Sequence, residues 1–211
     1  MHTLLVAVHP EPGSLTHHTA RQLAAALRPG SVEIADLAKE EFDPRFGVAD
    51  RRAYQQRGAP PHDVRREQQR LDRATDLVLI FPVYWWSMPA LLKGWIDRVF
   101  INGWAFDYAP STGIQPRLQR LTTHLLPIAG DDAGLYERHG YGHALRTQIE
   151  HGIVDYCGSR RGVTAFVHES EQDDPSARTR EVDRAVAMIR DAISVPPDGR
   201  EEGTPGTGSS V

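Results

Sequence analysis

The feature that most constrains this chain is the alternation of short apolar runs with amphipathic segments over residues 4–193. The clearest run, Asp76-Leu77-Val78-Leu79-Ile80-Phe81, is apolar after its first residue and is followed by Pro82. A strand with no polar face is typical of a parallel sheet that helices cover on both sides. The run therefore predicts the central strand of such a sheet.

Four further apolar runs complete a predicted five-stranded sheet: Leu4 to Val8, Val32 to Leu37, Leu121 to Ile128 and Gly162 to His168. The segments that link these runs show the spacing of apolar residues that is typical of helices. The predicted helices follow a cap at Ser14 or Thr16, run from Asp63 to Ala74, begin at Pro89, span Leu145 to Tyr156, and run from Pro175 to Ile193 after Asp174 as cap. Each link is long enough for a crossover, so we predict a doubly wound α/β fold with strand order 2-1-3-4-5.

Two segments lack this pattern. Residues 38–61 are rich in charged and turn-forming residues, which predicts a surface excursion with little regular structure. Residues 196–211 consist mainly of Gly, Pro, Ser, Thr and charged residues, which predicts a disordered tail. The predicted organisation is one domain over residues 1–195 and a tail over 196–211.

Composition limits the classes of function. The net charge is −4 and the charges are interspersed, so no nucleic-acid partner is expected. No apolar stretch approaches the ~18 residues of a membrane helix, and Met1 to Val8 carries no basic leader. The single cysteine, Cys157, cannot form an internal disulfide and indicates a reducing compartment. We expect a soluble cytoplasmic protein.

In sheets of this order, ligands bind beyond the carboxyl ends of the strands, where the strand order reverses. The loop after the first strand, His9 to Thr16, leads into a helix N-terminus, whose backbone N–H groups and dipole attract phosphate. His9, Ser14 and Thr16 add donors. A capped loop that binds nothing explains these residues equally well. Neither a GxGxxG turn nor a Walker A lysine is present.

The loop after the central strand, Phe81 to Pro89, carries the three consecutive aromatic residues Tyr84, Trp85 and Trp86. Aromatic side chains at the mouth of a cleft are explained by a flat conjugated ligand. The alternative is that Trp85 and Trp86 anchor the neighbouring helix or a subunit interface.

Residues 81–100, F-P-V-Y-W-W-S-M-P-A-L-L-K-G-W-I-D-R-V-F, closely resemble the signature of the NAD(P)H:quinone oxidoreductase family. These flavodoxin-like flavoenzymes include DT-diaphorase and the bacterial ancillary proteins of potassium efflux systems. Weaker matches continue in the same order from Leu4 to about Ile193. The resemblance implies a flavodoxin-like fold and two-electron, ping-pong hydride transfer from NAD(P)H to a quinone or a similar flat acceptor.

The resemblance also implies which residues hold the flavin. Those expected against the isoalloxazine ring are Pro82, Val83, Tyr84, Trp85 and Trp86, and those expected at the phosphates are His9, Ser14, Leu15 and Thr16. Gln68 and Arg178 match residues near the dinucleotide end, which favours FAD, with FMN as the alternative. Gly130 and Asp131 belong to a turn, Ile-Ala-Gly-Asp, that replaces the family's Thr-Thr-Gly-Gly; Gly130 still permits close backbone approach to the ring.

Tyr136 matches a tyrosine that, with a nearby histidine, is proposed to stabilise charge on the flavin. His139 and His143 both lie close in sequence and neither is in register; we predict His139. The two histidines are also spaced as an i, i+4 metal pair. Gly140 and Gly142 argue against the helix that such a pair needs, so no metal is predicted.

Phe106 and Tyr108 match substrate-facing tyrosines that reach a neighbouring subunit's site, although the first is a phenylalanine here. The alternative is a pair of core aromatics. The apolar and aromatic segment from Trp95 to Tyr108 predicts a homodimer. An alternative function, from the efflux relatives, is a flavin-containing regulatory partner of a membrane transport system. A flavodoxin-type electron carrier is a third.

Overall fold

A five-stranded parallel sheet organises residues 2–194, the part of the chain that this computed structural model describes. The strands in chain order are β1 Thr3–Ala7, β2 Val32–Asp36, β3 Asp76–Pro82, β4 Phe106–Ala109, β5 Gly113–Pro116, β6 Thr122–Ile128 and β7 Arg160–Thr164. The main sheet has the order β2-β1-β3-β6-β7, and β4 and β5 form a separate antiparallel hairpin. The predicted order 2-1-3-4-5 is confirmed, with β3 in the centre.

The helices are α1 Leu15–Ala26, α2 Val48–Tyr54, α3 His62–Arg73, α4 Ala90–Val99, α5 Ala133–His139, α6 Tyr141–Arg146, a π-helix Thr147–Asp155 and α7 Pro175–Ser194. They cover both faces of the sheet. One apolar core contains Leu71, Leu92 and Trp95 from α3 and α4, and the other contains Leu23 and Val186 from α1 and α7. Burial on both faces accounts for the uninterrupted apolar sequence of β3.

The helix caps follow from side chains that the sequence supplies. The Ser14 hydroxyl oxygen accepts a hydrogen bond from the His17 N–H at 3.3 Å, so Ser14 caps α1. Asp174 accepts a hydrogen bond from the Ser176 N–H at the start of α7. Both predicted caps are therefore present. None of the helices within residues 2–194 has the length and apolar character that crossing a membrane requires.

The excursion over residues 38–61 differs from its prediction because it contains α2 and is tied to α4. Arg98 of α4 is buried, and its guanidinium bonds the carboxylates of Asp50 and Asp63 and the backbone oxygen of Asp43. A Cβ atom on Gly94, also on α4, would lie 2.2 Å from the backbone oxygen of Pro44. Only glycine allows this approach, so the excursion is a packed layer on α4.

Two other predictions of secondary structure were incomplete. The β4–β5 hairpin was not predicted, because its strands have only four residues each. The helical region expected from Leu145 begins at Ala133, where the Asp132 carboxylate accepts the Leu135 N–H and caps α5. Gly140, with φ 69°, then separates α5 from α6. The predicted tail, residues 196–211, lies outside the described residues.

Candidate active site

The chain leaves the central strand through a strained turn. Tyr84 and Ser87 exchange two backbone hydrogen bonds of 3.0 and 3.1 Å, which close a four-residue turn around Trp85 and Trp86. Both tryptophans have left-handed backbones, with φ 49° and 62°. Such a turn usually carries Asn and Gly, and each left-handed L-residue costs about 1–2 kcal/mol. Strain of this kind is concentrated at functional sites.

A pocket of about 330 Å³ lies between this turn and the loop after β6. It is lined by Val83, Tyr84, Trp85, Trp86, Gly130, Asp131, Tyr136 and Glu171. Because β3 and β6 are neighbouring parallel strands, the pocket sits at their carboxyl ends, where ligands of such sheets bind. The location predicted from strand order is thus the location of an aromatic-walled cavity.

Backbone donors surround this pocket. The N–H groups of Trp85, Trp86, Gly130 and Asp131 have no acceptor within residues 2–194. Trp85, Gly130 and Asp131 are exposed and Trp86 is half-buried, so these N–H groups are accessible to a molecule in the pocket. Four donors around one cavity can bind a ligand with several acceptor atoms.

Stacked rings hold one wall of the pocket. The Trp86 and Tyr141 rings lie 3.7 Å apart between centroids and are inclined by 10°. The His139 ring also stacks on Tyr141, with 5.2 Å between the two ring centroids. The stack joins α5 and α6 to the turn and fixes the orientation of Trp86.

Tyr136 contributes a buried phenol to the pocket. Its ring contacts His168 edge to face at 5.2 Å, and the His168 Nδ1 lies 3.3 Å from the backbone oxygen of Asp131. Burial, together with the negative charge of Asp131, raises the pKa of Tyr136 to about 12. Burial lowers the pKa of His168. At neutral pH the phenol is therefore protonated and the imidazole is neutral.

A second cavity, of about 490 Å³, lies beside the start of α1. Its lining consists of Gly13, Leu15, His18, Arg21, Ser170, Pro175, Arg178, Thr179 and Val182. The N–H groups of Leu15 and Thr16 at the first turn of α1 have no acceptor among the described residues. A helix N-terminus beside two arginines and a histidine attracts phosphate.

The structure brings most of the predicted residues into these two cavities. The first contains Val83, Tyr84, Trp85, Trp86, Gly130, Asp131 and Tyr136, and the second contains Leu15 and Arg178. Pro82 ends β3 directly before the turn, and Thr16 is buried in α1. Ser14 is engaged as a helix cap, and the His9 Nδ1 accepts the Glu11 N–H at 3.0 Å.

Four predicted residues lie elsewhere in this chain. Gln68 is buried between α3 and α4 and donates its amide to the Val99 backbone oxygen at 3.1 Å. Phe106 and Tyr108 belong to the β4–β5 hairpin. His139 touches Tyr141, and the histidine in contact with Tyr136 is His168. Their roles stay predictions.

The sequence analysis missed His168, Glu171, Arg21 and Tyr141. His168 and Glu171 follow the last strand of the sheet, and the rule that ligands bind beyond strand ends was applied only to the first, third and fourth predicted strands. Arg21 lies nearly two turns into α1 and lines the same cavity as Gly13 and Leu15. Tyr141 carried no local signal, because its contact with Trp86 depends on the break at Gly140.

A family model described as flavodoxin-like fold matches residues 1–192. The chain belongs to this flavodoxin-like family. The flavodoxin-like chain is 32% identical over 180 residues to the ribosyldihydronicotinamide dehydrogenase (quinone) of Homo sapiens, covering 74% of this chain and 76% of the relative. It is 27% identical over 199 residues to the NAD(P)H dehydrogenase (quinone) 1 of Rattus norvegicus, covering 84% and 72%.

Solved structures agree on the fold of this flavodoxin-like protein. The NAD(P)H:quinone oxidoreductase of Methanothermobacter marburgensis superposes with a TM-score of 0.81 at 24% identity, over 90% of this chain and 98% of that one. A putative quinone reductase of Klebsiella pneumoniae gives a TM-score of 0.81 at 24% identity, over 92% and 85%. The predicted family and fold class are confirmed.

Proposed function

We propose that this protein is a flavin-dependent oxidoreductase that transfers two electrons from NAD(P)H to quinones or similar flat acceptors. The observation that carries the proposal is the aromatic-walled pocket of about 330 Å³, which four unpaired backbone N–H groups surround. Its curated relatives have quinone dehydrogenase names, which supports an enzyme over a regulatory partner of a membrane transport system.

The residues of the pocket fit a flavin. A planar ring system with acceptor nitrogens and oxygens along its edge matches flat aromatic walls and the N–H groups of Trp85, Trp86, Gly130 and Asp131. The absence of a side chain at Gly130 leaves space between its backbone and the Glu171 carboxyl group, whose carbon lies 3.7 Å from the position of a Cβ. When bound, a flavin supplies the two-electron chemistry between nicotinamide and quinone.

The chain's own groups have distinct tasks in this reaction. The turn at Trp85 and Trp86 orients the ring and excludes water from one of its faces. Tyr136 holds a proton on its phenol oxygen throughout the neutral pH range, because its pKa is raised to about 12, and so donates a hydrogen bond where negative charge develops. His168, or His139 through Tyr141, holds the phenol in place.

The second cavity favours FAD over FMN. The 490 Å³ space extends from the start of α1 to the start of α7 and presents Arg21 and Arg178. A flavin mononucleotide ends at its phosphate, whereas a dinucleotide carries a second phosphate and an adenosine that need such a space. We propose that FAD occupies both cavities.

We also propose that the protein is a cytoplasmic homodimer. Tyr54, Tyr108 and Tyr156 are each more than a third exposed. The Tyr54 and Tyr156 rings contact Phe106, and Tyr108 lies near enough to Tyr156 to raise its pKa. Exposed aromatic clusters of this kind are typical of subunit interfaces.

The single cysteine supports the cytoplasmic location. Cys157 is buried, and burial raises the pKa of its thiol to about 12, so this thiol is protected in the interior.

The purified protein provides the test. We expect a yellow protein with a flavin absorption spectrum, release of FAD identified by mass spectrometry, and bleaching of the spectrum by excess NADPH or NADH in stopped flow. Steady-state reduction of a naphthoquinone should follow ping-pong kinetics, because donor and acceptor take the same place in turn. Folded protein that stays colourless and binds neither FAD nor FMN would contradict the proposal.

A matched pair of glycine variants locates the flavin. Gly130→Val places two methyl groups at the floor of the pocket and should weaken flavin binding at least about tenfold. Gly58→Val adds the same groups to an exposed loop, where a Cβ meets only the Arg52 Cβ at 3.8 Å, and should bind flavin like the natural protein. Equal affinities for the two variants would place the flavin elsewhere.

A further inference from the structure

The charged side chains that line the aromatic pocket are all acidic. Asp131 and Glu171 each contribute a carboxylate, and the other lining residues are one valine, one glycine, two tyrosines and two tryptophans. Within residues 2–194, no Lys, Arg or His nitrogen lies within 4.0 Å of either carboxylate. The pocket therefore carries two negative charges that no cationic side chain of the described residues pairs with.

Both acidic residues are exposed and line the pocket. The carboxyl carbon of Glu171 lies 3.7 Å from the position of a Cβ built on Gly130, so this group lies beside Gly130. The charge of Asp131 is felt at the phenol of Tyr136, whose pKa rises through burial and through this charge. A planar molecule in the pocket meets both fields at short range.

Basic side chains line the neighbouring cavity. His18, Arg21 and Arg178 line the space beside α1, and Arg178 donates to the backbone oxygen of Gln172 at 3.1 Å. The two consecutive residues Ser170 and Glu171 line different cavities. The loop after β7 thus separates a cationic cavity from an anionic one.

Two arginines lie near the pocket but outside it. Arg138 of α5 and Asp132 both approach Gly134, where a Cβ would lie 3.0 Å from the arginine Nη1 and 2.9 Å from the aspartate Oδ1. Arg184 of α7 bonds the Phe166 backbone oxygen and pairs with Glu181. Neither arginine belongs to the pocket lining.

We propose that Asp131 and Glu171 select the electron acceptor by its charge, so that neutral and cationic flat acceptors are reduced in preference to anionic ones. This inference rests on the proposed function. An anionic acceptor must approach two unneutralised carboxylates in a cleft with apolar walls, where Coulomb interactions are stronger than in bulk water.

Three acceptors with one core test the proposal. Each is a 2-methyl-1,4-naphthoquinone with a short alkyl spacer that ends in a sulfonate, a hydroxyl or a trimethylammonium group, so that the ring potentials match. With the holoenzyme at low ionic strength, we expect kcat/KM for the sulfonate to be about tenfold below that for the hydroxyl compound, and the cation to equal or exceed the latter. Added salt should reduce this spread, because it screens charge.

Charge-removing variants assign the effect to residues. In Glu171→Gln and in Asp131→Asn, the ratio of kcat/KM for hydroxyl to sulfonate acceptor should fall about two- to threefold. Asp191→Asn removes the same charge from the surface of α7, where Asp191 pairs with Arg190, and should keep the natural ratio. The ratio is taken within one variant, so a change in overall activity or flavin content cancels.

The outcomes separate this inference from the function on which it rests. Equal kcat/KM for the three acceptors in the natural holoenzyme, or an unchanged ratio in both pocket variants, would overturn charge selection. Failure to bind flavin, or to reduce the neutral hydroxyl compound, would overturn the oxidoreductase function instead.

Discussion

Tyr136 has a more crowded environment than its position in the sequence suggests. Its ring contacts those of Trp86, Tyr141, Phe166 and His168. Four aromatic side chains from three segments therefore fix one phenol. Such preorganisation matters in catalysis, because a donor that is already oriented needs no rearrangement when charge develops.

The two candidate histidines differ in how they reach this phenol, and their variants should differ accordingly. His168 touches the Tyr136 ring directly, whereas His139 touches it through Tyr141. We expect His168→Gln to slow flavin reduction by NADPH about tenfold or more in stopped flow, and His139→Gln to slow it less. Tyr136→Phe serves as the reference for complete loss of the phenol. A larger effect at His139 would support the choice made from sequence.

At the scale of the turn, backbone strain and exposed aromatic surface occur together. Trp85 is 93% exposed, so its ring adds little to the stability of the protein without ligand, yet its backbone is left-handed. The sequence thus retains a costly residue where asparagine would fit better.

Replacing that residue should separate stability from function. Trp85→Asn is expected to raise the free energy of unfolding of the flavin-free protein by about 1 kcal/mol, because asparagine tolerates the left-handed region. The same change should weaken flavin binding, measured by quenching of flavin fluorescence. Urea unfolding supplies the first quantity. A loss of stability in the flavin-free variant would show that the exposed ring supports the fold.

At the scale of helix α4, buried and exposed ion pairs contribute differently to the free energy of unfolding. Arg98 bonds Asp50, and both side chains are at least 94% inaccessible, whereas Lys93 pairs with Asp97 at the surface. Arg98→Met leaves Asp50 buried and unpaired and should lower the free energy of unfolding by about 3–5 kcal/mol. Lys93→Met, the matched control, should change it by about 0.5 kcal/mol or less. Equal losses would mean that α2 does not depend on this pair.

The same comparison explains which elements were predictable. The sheet was predictable, because β1 and β3 are apolar runs that can be identified without any distant residue. Helix α2 was not, because its anchor joins Asp50 to Arg98, which is 48 residues away. The start of α5 was predictable from the capping residue Asp132, whose carboxylate accepts the Leu135 N–H. The turn at Trp85 was predictable from composition, but the contact of His168 with Tyr136 arises only when β7 lies beside β6.

At the scale of the whole molecule, one side carries an aromatic cluster that the fold leaves open. The rings of Tyr54 and Tyr156, from α2 and the end of the π-helix, contact Phe106, and Tyr108 of the β4–β5 hairpin lies near enough to Tyr156 to raise its pKa. No single element explains this convergence. The proposed interface between two copies would bury all three rings at once.

A charge placed in this cluster should therefore separate the subunits. We expect the natural protein to sediment as a dimer at micromolar concentration, and Tyr108→Arg to shift it toward monomer, because an arginine cannot be buried there without a partner. Met188→Arg, on the exposed surface of α7, should leave sedimentation unchanged. A natural protein that sediments only as monomer would contradict the dimer.

The placement of the indole rings gives the protein its own optical reporters. Trp95 is fully buried and donates its Nε1–H to Glu67 at 3.1 Å, whereas Trp85 faces solvent beside the pocket. Fluorescence of the buried Trp95 is emitted at short wavelength and reports unfolding. Fluorescence of the exposed Trp85 is emitted at long wavelength and is quenched by energy transfer to a flavin in the adjacent pocket. The emission wavelength therefore distinguishes flavin binding from unfolding in one unlabelled sample.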